Sequence, residues 1–139
     1  MIIGYTTGVF DMFHVGHLNL LERARAQCDS LIVGVNSDEL TQQYKGKLPV
    51  IPFEDRCRIV GALKAVDRVV CRSVRDDLLA WKQHQFNRLF HGDDWKGREP
   101  FATAQRELEK QGVQVIFLPY TPNISSTSLQ GCEDRKVEG

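Results

Sequence analysis

Short apolar runs alternate along this sequence with stretches whose apolar residues recur at helical spacing. The run Ser30–Asn36 (SLIVGVN) has almost no polar alternation, as expected of a strand buried on both faces of a sheet. The same pattern predicts strands at 2–6, 30–36, 67–70, 87–92 and 113–119, and helices at 16–28, 54–66, 76–85, 100–111 and 124–130. Strands that alternate with helices indicate an α/β fold, with a doubly wound, mostly parallel five-stranded sheet and helices on both faces.

The interval between the second and third strands is less regular. The polar segment 37–55 contains Gly46 and two prolines, so a loop is predicted through much of its length. In the helix that follows, the apolar spacing predicts that Ile59, Leu63 and Val66 face inward.

Length and charge restrict the kind of protein. The chain has 139 residues, which suits a single domain that buries about 68% of its unfolded surface. A domain is predicted over 1–131 and a disordered tail over 132–139. Eighteen Lys and Arg balance eighteen Asp and Glu, so no overall field favours nucleic acid or an anionic membrane as a partner. Four scattered cysteines and the lack of an export or membrane-spanning segment predict reduced thiols and a cytoplasmic location.

The loops that follow the strands carry most of the chemistry. In doubly wound sheets, ligands bind in the crevice beyond the carboxyl ends of the strands. The loops expected there contain TTGVFDMFHVGH, NSDELTQQYKGK, HGDDWKG and YTPNISST. These segments are also the richest in imidazoles, lysines, carboxylates and hydroxyls, so a polyphosphate site is predicted at this edge of the sheet.

The first of these loops carries two histidines, His14 and His17, at the predicted start of a helix. Residues three apart point to the same side, and a helix N-terminus favours anions through its free amides and dipole. The pair is predicted to stabilise negative charge that develops on a phosphate. Two alternatives remain: histidines that make only local hydrogen bonds, and a zinc site, although no further Cys or His lies at a suitable spacing.

The other loops offer further groups. Lys45 and Lys47 flank a glycine and can reach one charged group if the chain is extended there; a solvated surface loop is the alternative. Asp93 and Asp94 can hold a metal ion, accept a base amino group or build a turn. The amides and hydroxyls of NISST can cradle outer phosphates or simply cap a helix.

Together these motifs resemble those of the cytidylyltransferase-like nucleotidyltransferases. GVFDMFHVGH resembles their G-[TV]-F-D-x-x-H-x-G-H motif, and ISST resembles the I-S-[ST]-T motif that closes their catalytic domain. The likeness extends over nearly the whole chain and implies a Rossmann-like fold. GDDWKG and the short chain resemble the bacterial glycerol-3-phosphate cytidylyltransferases, whereas GVFD, VNSDE and GALKAVDRVV also resemble the adenylyltransferases that make nucleotide-activated heptose.

The resemblance implies a reaction and a set of site residues. The phosphate of a small phosphorylated polyol or sugar attacks the α-phosphorus of a nucleoside triphosphate, with CTP favoured, and pyrophosphate leaves. The two histidines, Lys45 and Lys47 are implied to be catalytic, and Asp11 and Arg56 to bind substrate. The implied nucleotide-binding residues are Val9, Phe10, Asp94, Thr121, Ser125, Ser126 and Thr127. Mg²⁺ held mainly through the triphosphate, without a protein metal site, and a homodimer are implied as well.

The sequence departs from the glycerol-3-phosphate enzymes just before ISST. Their R-T-x-G is replaced by YTPN, in which Tyr120 cannot supply the charged bidentate fork of an arginine, although Thr121 is retained. Three hypotheses remain: transfer of CMP to glycerol 3-phosphate or a similar polyol phosphate, an adenylyltransferase acting on a sugar phosphate, and a non-catalytic nucleotide-binding module.

Overall fold

The computed structural model describes residues 1–92 and 101–119. Its sheet contains the strands β1 Ile3–Gly8, β2 Ser30–Asn36, β3 Arg68–Arg72, β4 Arg88–Gly92 and β5 Gln114–Leu118. The strand order is β3-β2-β1-β4-β5, and each strand pairs in parallel with its neighbours. The α/β fold with a five-stranded sheet is therefore confirmed, and each predicted strand forms with its ends shifted by two residues at most.

Helices cover both faces of this sheet. They are α1 Val15–Arg25, α2 Asp38–Lys45, α3 Phe53–Gly61, α4 Asp77–His84 and α5 Phe101–Lys110. Leu21 of α1 and Val60 of α3 belong to one buried core together with Val33. Ala80 of α4 belongs to a second core, under α4 and α5, together with Ile32. Because neighbouring residues of β2 point to opposite faces, this strand contributes to both cores.

The sheet reverses its winding between β1 and β4. From β1 the chain moves outward to β2 and β3, and then returns across the sheet to β4 and β5 on the other side. The hydroxyl of Thr6 in β1 donates to the carbonyl of Phe90 in β4 at 2.9 Å, which ties the two central strands together. The reversal falls between these two neighbouring strands, and in such folds the crevice that binds ligands lies at the reversal.

The polar segment after β2 contains a helix where a loop was predicted. Ser37 caps α2, since its hydroxyl accepts the N–H of Leu40 at 3.1 Å, and Asp38 and Glu39 add favourable negative charge to the first turn. Gly46 ends the helix with φ 77°, a left-handed conformation that suits glycine. The predicted loop is therefore wrong for these residues, and the two lysines lie at a helix end.

Helix α3 is shorter than predicted, and of the three residues expected to face inward Val66 is buried and Leu63 packs against the core, whereas Ile59 does not. It ends at Gly61, after which the N–H of Leu63 bonds to the carbonyl of Val60 at 3.2 Å and that of Val66 to the carbonyl of Leu63 at 3.1 Å. Val60 is fully buried, whereas Ile59 is 43% exposed. The prediction that Ile59 faces inward is wrong.

The described helices differ from membrane-spanning ones in length or in apolar character, so none of those in 1–92 and 101–119 could cross a bilayer.

Cys28, Cys57 and Cys71 are free thiols, and burial raises the pKa of each.

Candidate active site

A cavity of about 1080 Å³ opens at the carboxyl edge of the sheet. Residues that follow β1, β2, β3 and β4 form its wall, at the edge where doubly wound sheets bind ligands. The predicted site residues in its lining are Val9, Phe10, Asp11, His14, His17, Lys45 and Lys47. The structure thus brings the motif after β1 and the lysines at the C-terminal end of α2 to one space.

The loop from β1 to α1 has a strained backbone, and contacts with other parts of the protein hold it in place. Phe10 and Met12 have φ values of 55° and 47°, which residues other than glycine rarely adopt. The ring of Phe10 is buried in the core under α1 and α3. The Asp11 carboxylate accepts the N–H groups of Val50 and Ile51, each at 2.8 Å. Asp11, implied to bind substrate, therefore lines the cavity with its carboxylate already engaged in bracing the loop.

The two histidines hold each other in place at the start of α1. His14 is the N-cap, and its Nδ1 accepts the N–H of Gly16 at 3.0 Å. Nδ1 of His17 accepts the N–H of His14 at 3.2 Å, and the two rings stack with centroids 4.0 Å apart. Because each Nδ1 is an acceptor, each neutral ring carries its proton on Nε2. The pair offers two N–H donors at the positive end of a helix.

Both imidazoles favour the neutral form. Burial lowers the pKa of His14 below its ordinary value. Burial also lowers the pKa of His17 to about 4; the nearby His14 and Lys45 add to this effect and Asp11 opposes it. At pH 7 the rings can therefore donate hydrogen bonds to a phosphate as neutral groups.

The two lysines lie on either side of the C-terminus of α2. Lys45 is the last residue of the helix, and Lys47 follows Gly46. The left-handed turn at Gly46 means that the chain between the lysines is not extended, which was the condition for both to reach one charged group from the same side. Lys45 Nζ lies 6.0 Å from the centroid of the Tyr44 ring. Both lysines still line the cavity, where two ammonium groups suit a phosphate.

Arg56 lies outside the lining of the cavity. Its side chain is fully buried, and its Nε donates to the carbonyl of Ile51 at 2.9 Å. Its Nη1 donates to the carbonyls of Val9 and Asn36, each at 2.8 Å, and its Nη2 pairs with the Asp38 carboxylate at 2.6 Å. In this structure Arg56 braces the loops after β1 and β2, whereas the resemblance implied contact with substrate.

A polar cluster on β3, α4 and β4 also lines the cavity, and sequence analysis missed it. Asp77 Oδ1 accepts Arg72 Nη2 at 3.3 Å, and Asp77 Oδ2 lies 3.5 Å from Nε2 of His91. Although burial opposes the shift, His91 and Arg72 hold the pKa of Asp77 below its ordinary value. The four loop segments predicted to form the site did not include the residues after β3, and in the structure Arg72 ends this strand at the binding edge.

The remaining implied residues lie outside the described part of the chain. They are Asp94, Thr121, Ser125, Ser126 and Thr127, and Tyr120 is also among the residues not described. Within 1–92 and 101–119, no group of three or more His, Cys, Asp or Glu side chains is arranged to hold a metal ion. These ranges therefore contain no ligand set for the zinc site that was considered as an alternative.

Comparison with known proteins agrees with the motifs. The family model described as Cytidylyltransferase-like matches residues 5–131. Glycerol-3-phosphate cytidylyltransferase of Bacillus spizizenii is 36% identical over 126 residues, which cover 90% of this chain and 92% of that protein. The bifunctional protein HldE of Granulibacter bethesdensis is 35% identical over 130 residues, and the chain spans about a quarter (26%) of its length.

This chain is also similar to a protein of solved structure. The lipopolysaccharide core biosynthesis protein of Thermoplasma volcanium is 30% identical, with a TM-score of 0.72 over 87% of this chain and 97% of that one. The family match covers both the HVGH motif after β1 and the ISST segment near the other end of the chain. The chain therefore belongs to the Cytidylyltransferase-like family.

Proposed function

We propose that this protein is a nucleotidyltransferase that transfers CMP from CTP to glycerol 3-phosphate or a similar small polyol phosphate. The observation that carries the proposal is the pair of neutral imidazoles, His14 and His17, fixed at the N-terminus of α1 inside the cavity. The choice of substrates is supported by the similarity to a glycerol-3-phosphate cytidylyltransferase, of which the chain spans 92%.

In the proposed reaction, an oxygen of the acceptor phosphate forms a bond to the α-phosphorus of the nucleotide. The bond from that phosphorus to the bridging oxygen of the β-phosphate breaks, and its electron pair leaves with pyrophosphate. No bond to the protein forms. Negative charge grows on the α-phosphate as this happens, and donors that are already oriented stabilise it without reorganisation. The backbone bonds to both Nδ1 atoms provide that orientation.

The lysines reduce the repulsion between the two substrates. The acceptor phosphate and the triphosphate are both anions, and Lys45 and Lys47 line the space in which they meet. Mg²⁺ is proposed to enter with the triphosphate and to neutralise part of its charge. The described wall offers cations and engaged carboxylates such as Asp11, which fits an ion held by phosphate oxygens and water.

A second candidate is an adenylyltransferase acting on a sugar phosphate. It is supported by the similarity to a protein described as taking part in lipopolysaccharide core biosynthesis, of which this chain covers 97%. The HldE proteins match as well, but over 26% of their length, so they support this candidate less directly. The same histidines and lysines would serve either nucleotide.

Pyrophosphate release tests the proposal and separates the two candidates. CTP, ATP, GTP and UTP would each be incubated with Mg²⁺ and with either glycerol 3-phosphate or a sugar 1-phosphate. We expect release that requires Mg²⁺ and is fastest with CTP and glycerol 3-phosphate. Release with ATP alone would favour the second candidate, and nucleotide binding without release would leave a non-catalytic module.

We also propose a homodimer, on the family resemblance alone. Light scattering should give about twice the chain mass of 15.8 kDa. A mass of one chain at every concentration would reject the dimer.

A further inference from the structure

A directed chain of hydrogen bonds runs along the wall of the cavity that follows β2 and β3. Arg72 Nη1 donates to Oδ1 of Asn36 at 3.3 Å, and Nδ2 of Asn36 donates to the hydroxyl oxygen of Tyr44 at 2.9 Å. Asp77 fixes Arg72 from the other side at 3.3 Å. Asn36 and Asp77 are 3% and 5% exposed, so water has little access to these two side chains. All four side chains line the cavity.

The chemistry of these groups fixes the direction of every bond. A guanidinium has donors only, so the amide of Asn36 must turn its oxygen towards Arg72. Its NH₂ group then faces Tyr44, whose oxygen has to accept. The hydroxyl hydrogen of Tyr44 finds no acceptor among the described residues. The Arg75 guanidinium lies 4.7 Å from the centroid of the Tyr44 ring and helps to hold it. The Tyr44 hydroxyl can therefore act as a hydrogen-bond donor.

We propose that Tyr44 is a specificity-determining residue that donates a hydrogen bond to a hydroxyl oxygen of the acceptor, with Asn36, Arg72 and Asp77 as its positioning residues. This inference rests on the proposed function and names the acceptor feature that is recognised. An uncharged oxygen fits, because the donor is neutral and Arg72 is already paired with Asp77. The acceptor is thus a phosphate ester with at least one free hydroxyl group.

The hydrogen-bonded side chains lie where the unreactive end of the acceptor is expected. The histidines follow β1, whereas Arg72 ends β3, two strands away. Two strand spacings amount to about 10 Å. With the reacting phosphate near His14 and Lys45, the carbon chain of a small polyol can extend towards Tyr44.

The first test removes the hydroxyl of Tyr44. Pyrophosphate release at saturating CTP would be measured with glycerol 3-phosphate and with propyl phosphate, which has the same charged group and no hydroxyls. We expect Tyr44→Phe to raise KM for glycerol 3-phosphate about 3- to 10-fold, as for one lost hydrogen bond. The kcat with glycerol 3-phosphate and the KM for propyl phosphate should stay within about twofold. Tyr5→Phe is the matched control, since Tyr5 is buried and does not line the cavity.

The second test reverses the last bond of the chain. In Asn36→Asp, a carboxylate of nearly the same shape accepts from Arg72 and also from Tyr44, so the hydroxyl hydrogen turns away from the cavity. We expect a rise in KM at least as large as that in Tyr44→Phe. Adding Tyr44→Phe to Asn36→Asp should then change KM little, because the donor is already lost. If Asn36→Asp acted only by disturbing the structure, the two substitutions would change KM independently of each other.

Equilibrium binding of glycerol 3-phosphate to the free protein, measured beside turnover, separates failure of the inference about Tyr44 from failure of the proposed reaction. Wild-type selectivity in Tyr44→Phe, with turnover intact, would overturn the inference and leave the proposed function. So would a wild-type protein that uses propyl phosphate, which has no hydroxyl group, as well as it uses glycerol 3-phosphate. Binding that Tyr44→Phe weakens, without turnover on any substrate, would support the inference and overturn the proposed reaction. Absence of both binding and turnover would overturn both.

Discussion

At the scale of single residues, the two ring nitrogens of His14 have separate tasks. Nδ1 caps α1 by accepting the N–H of Gly16, and Nε2–H is the donor proposed for the α-phosphate. Asparagine places its side-chain oxygen near the Nδ1 position and is itself a favourable N-cap. We expect His14→Asn to keep its thermal stability and to lose about 10²- to 10³-fold in kcat, with nucleotide Kd nearly unchanged. His14→Ala should lose the same rate and, in addition, about 1 kcal/mol of stability.

These two variants distinguish the donor from the cap. If His14→Asn had wild-type kcat, Nε2 would have no part in the reaction. If both variants only lost stability, the histidines would make local hydrogen bonds and nothing more. Rate and urea denaturation of the two proteins therefore decide between the alternatives that the sequence left open.

The pKa of His17 makes a prediction about stability and pH. Burial lowers this pKa to about 4 in the folded protein, whereas the unfolded chain takes up its proton near 6.5. Between these pH values the unfolded state binds more protons, so the contribution of His17 to stability is complete above pH 6.5 and is lost as the pH falls towards 4. The wild type should lose more stability over this range than His17→Gln. An NMR titration of the ring with a midpoint near 6.5 would contradict this account.

Sequence alone predicted the placement of candidate site residues that lie within one motif. His14 and His17 are three positions apart, so their placement on one side of a helix start follows from spacing. The cluster of Arg72, Asp77 and His91 could not be found in this way. Its members come from β3, α4 and β4, and only the pairing of the sheet brings them together.

At the scale of the elements, the end of α2 sets the position of the lysines. Gly46 has φ 77°, and a methyl group added there would meet nothing within 4 Å, so an alanine would suffer only backbone strain. We expect Gly46→Ala to cost about 1 kcal/mol of stability and to weaken substrate binding, because the turn between Lys45 and Lys47 changes. Gly112→Ala is the control, since Gly112 has φ 88° and equally open surroundings but its neighbours in the chain do not line the cavity, as Lys45 and Lys47 do.

A similar loss of stability in both glycine variants, with weaker binding only in Gly46→Ala, would show that the turn places the lysines. Equal binding in the two variants would mean that the lysines find their position without it. Isothermal titration with CTP and with glycerol 3-phosphate measures the difference.

The elements differ in how well their sequence reveals them. The five strands were predicted because buried parallel strands are continuous apolar runs. Helix α2 was missed because Gly46 and the prolines dominated the segment, although Ser37 and the acidic first turn mark its start. Ile59 of α3 was misassigned because the buried face of the helix contains Arg56, four residues before Val60, which is itself fully buried. A charged residue inside the core shifts the face that apolar spacing predicts.

At the scale of the whole molecule, Arg56 connects the elements that form the site. Its bonds join the loop after β1, the end of β2, the start of α2 and the segment before α3. Replacing it leaves these carbonyls and Asp38 without a buried cation, so Arg56→Leu should cost about 3–5 kcal/mol in urea denaturation. Arg58→Leu on the exposed side of α3 should change stability little. An Arg56 variant of normal stability that binds substrate poorly would instead support direct contact.

Transfer of a nucleotidyl group can be followed by ³¹P NMR of the wild-type reaction, which observes every phosphorus atom that takes part. Protein, Mg²⁺, CTP and glycerol 3-phosphate would be followed in one sample. We expect the signals of both substrates to decline together while free pyrophosphate and a new diphosphate diester appear in equal amounts. Formation of CDP and inorganic phosphate would show cleavage at the γ-phosphate and contradict nucleotidyl transfer, as would a spectrum in which CTP binds and nothing is converted.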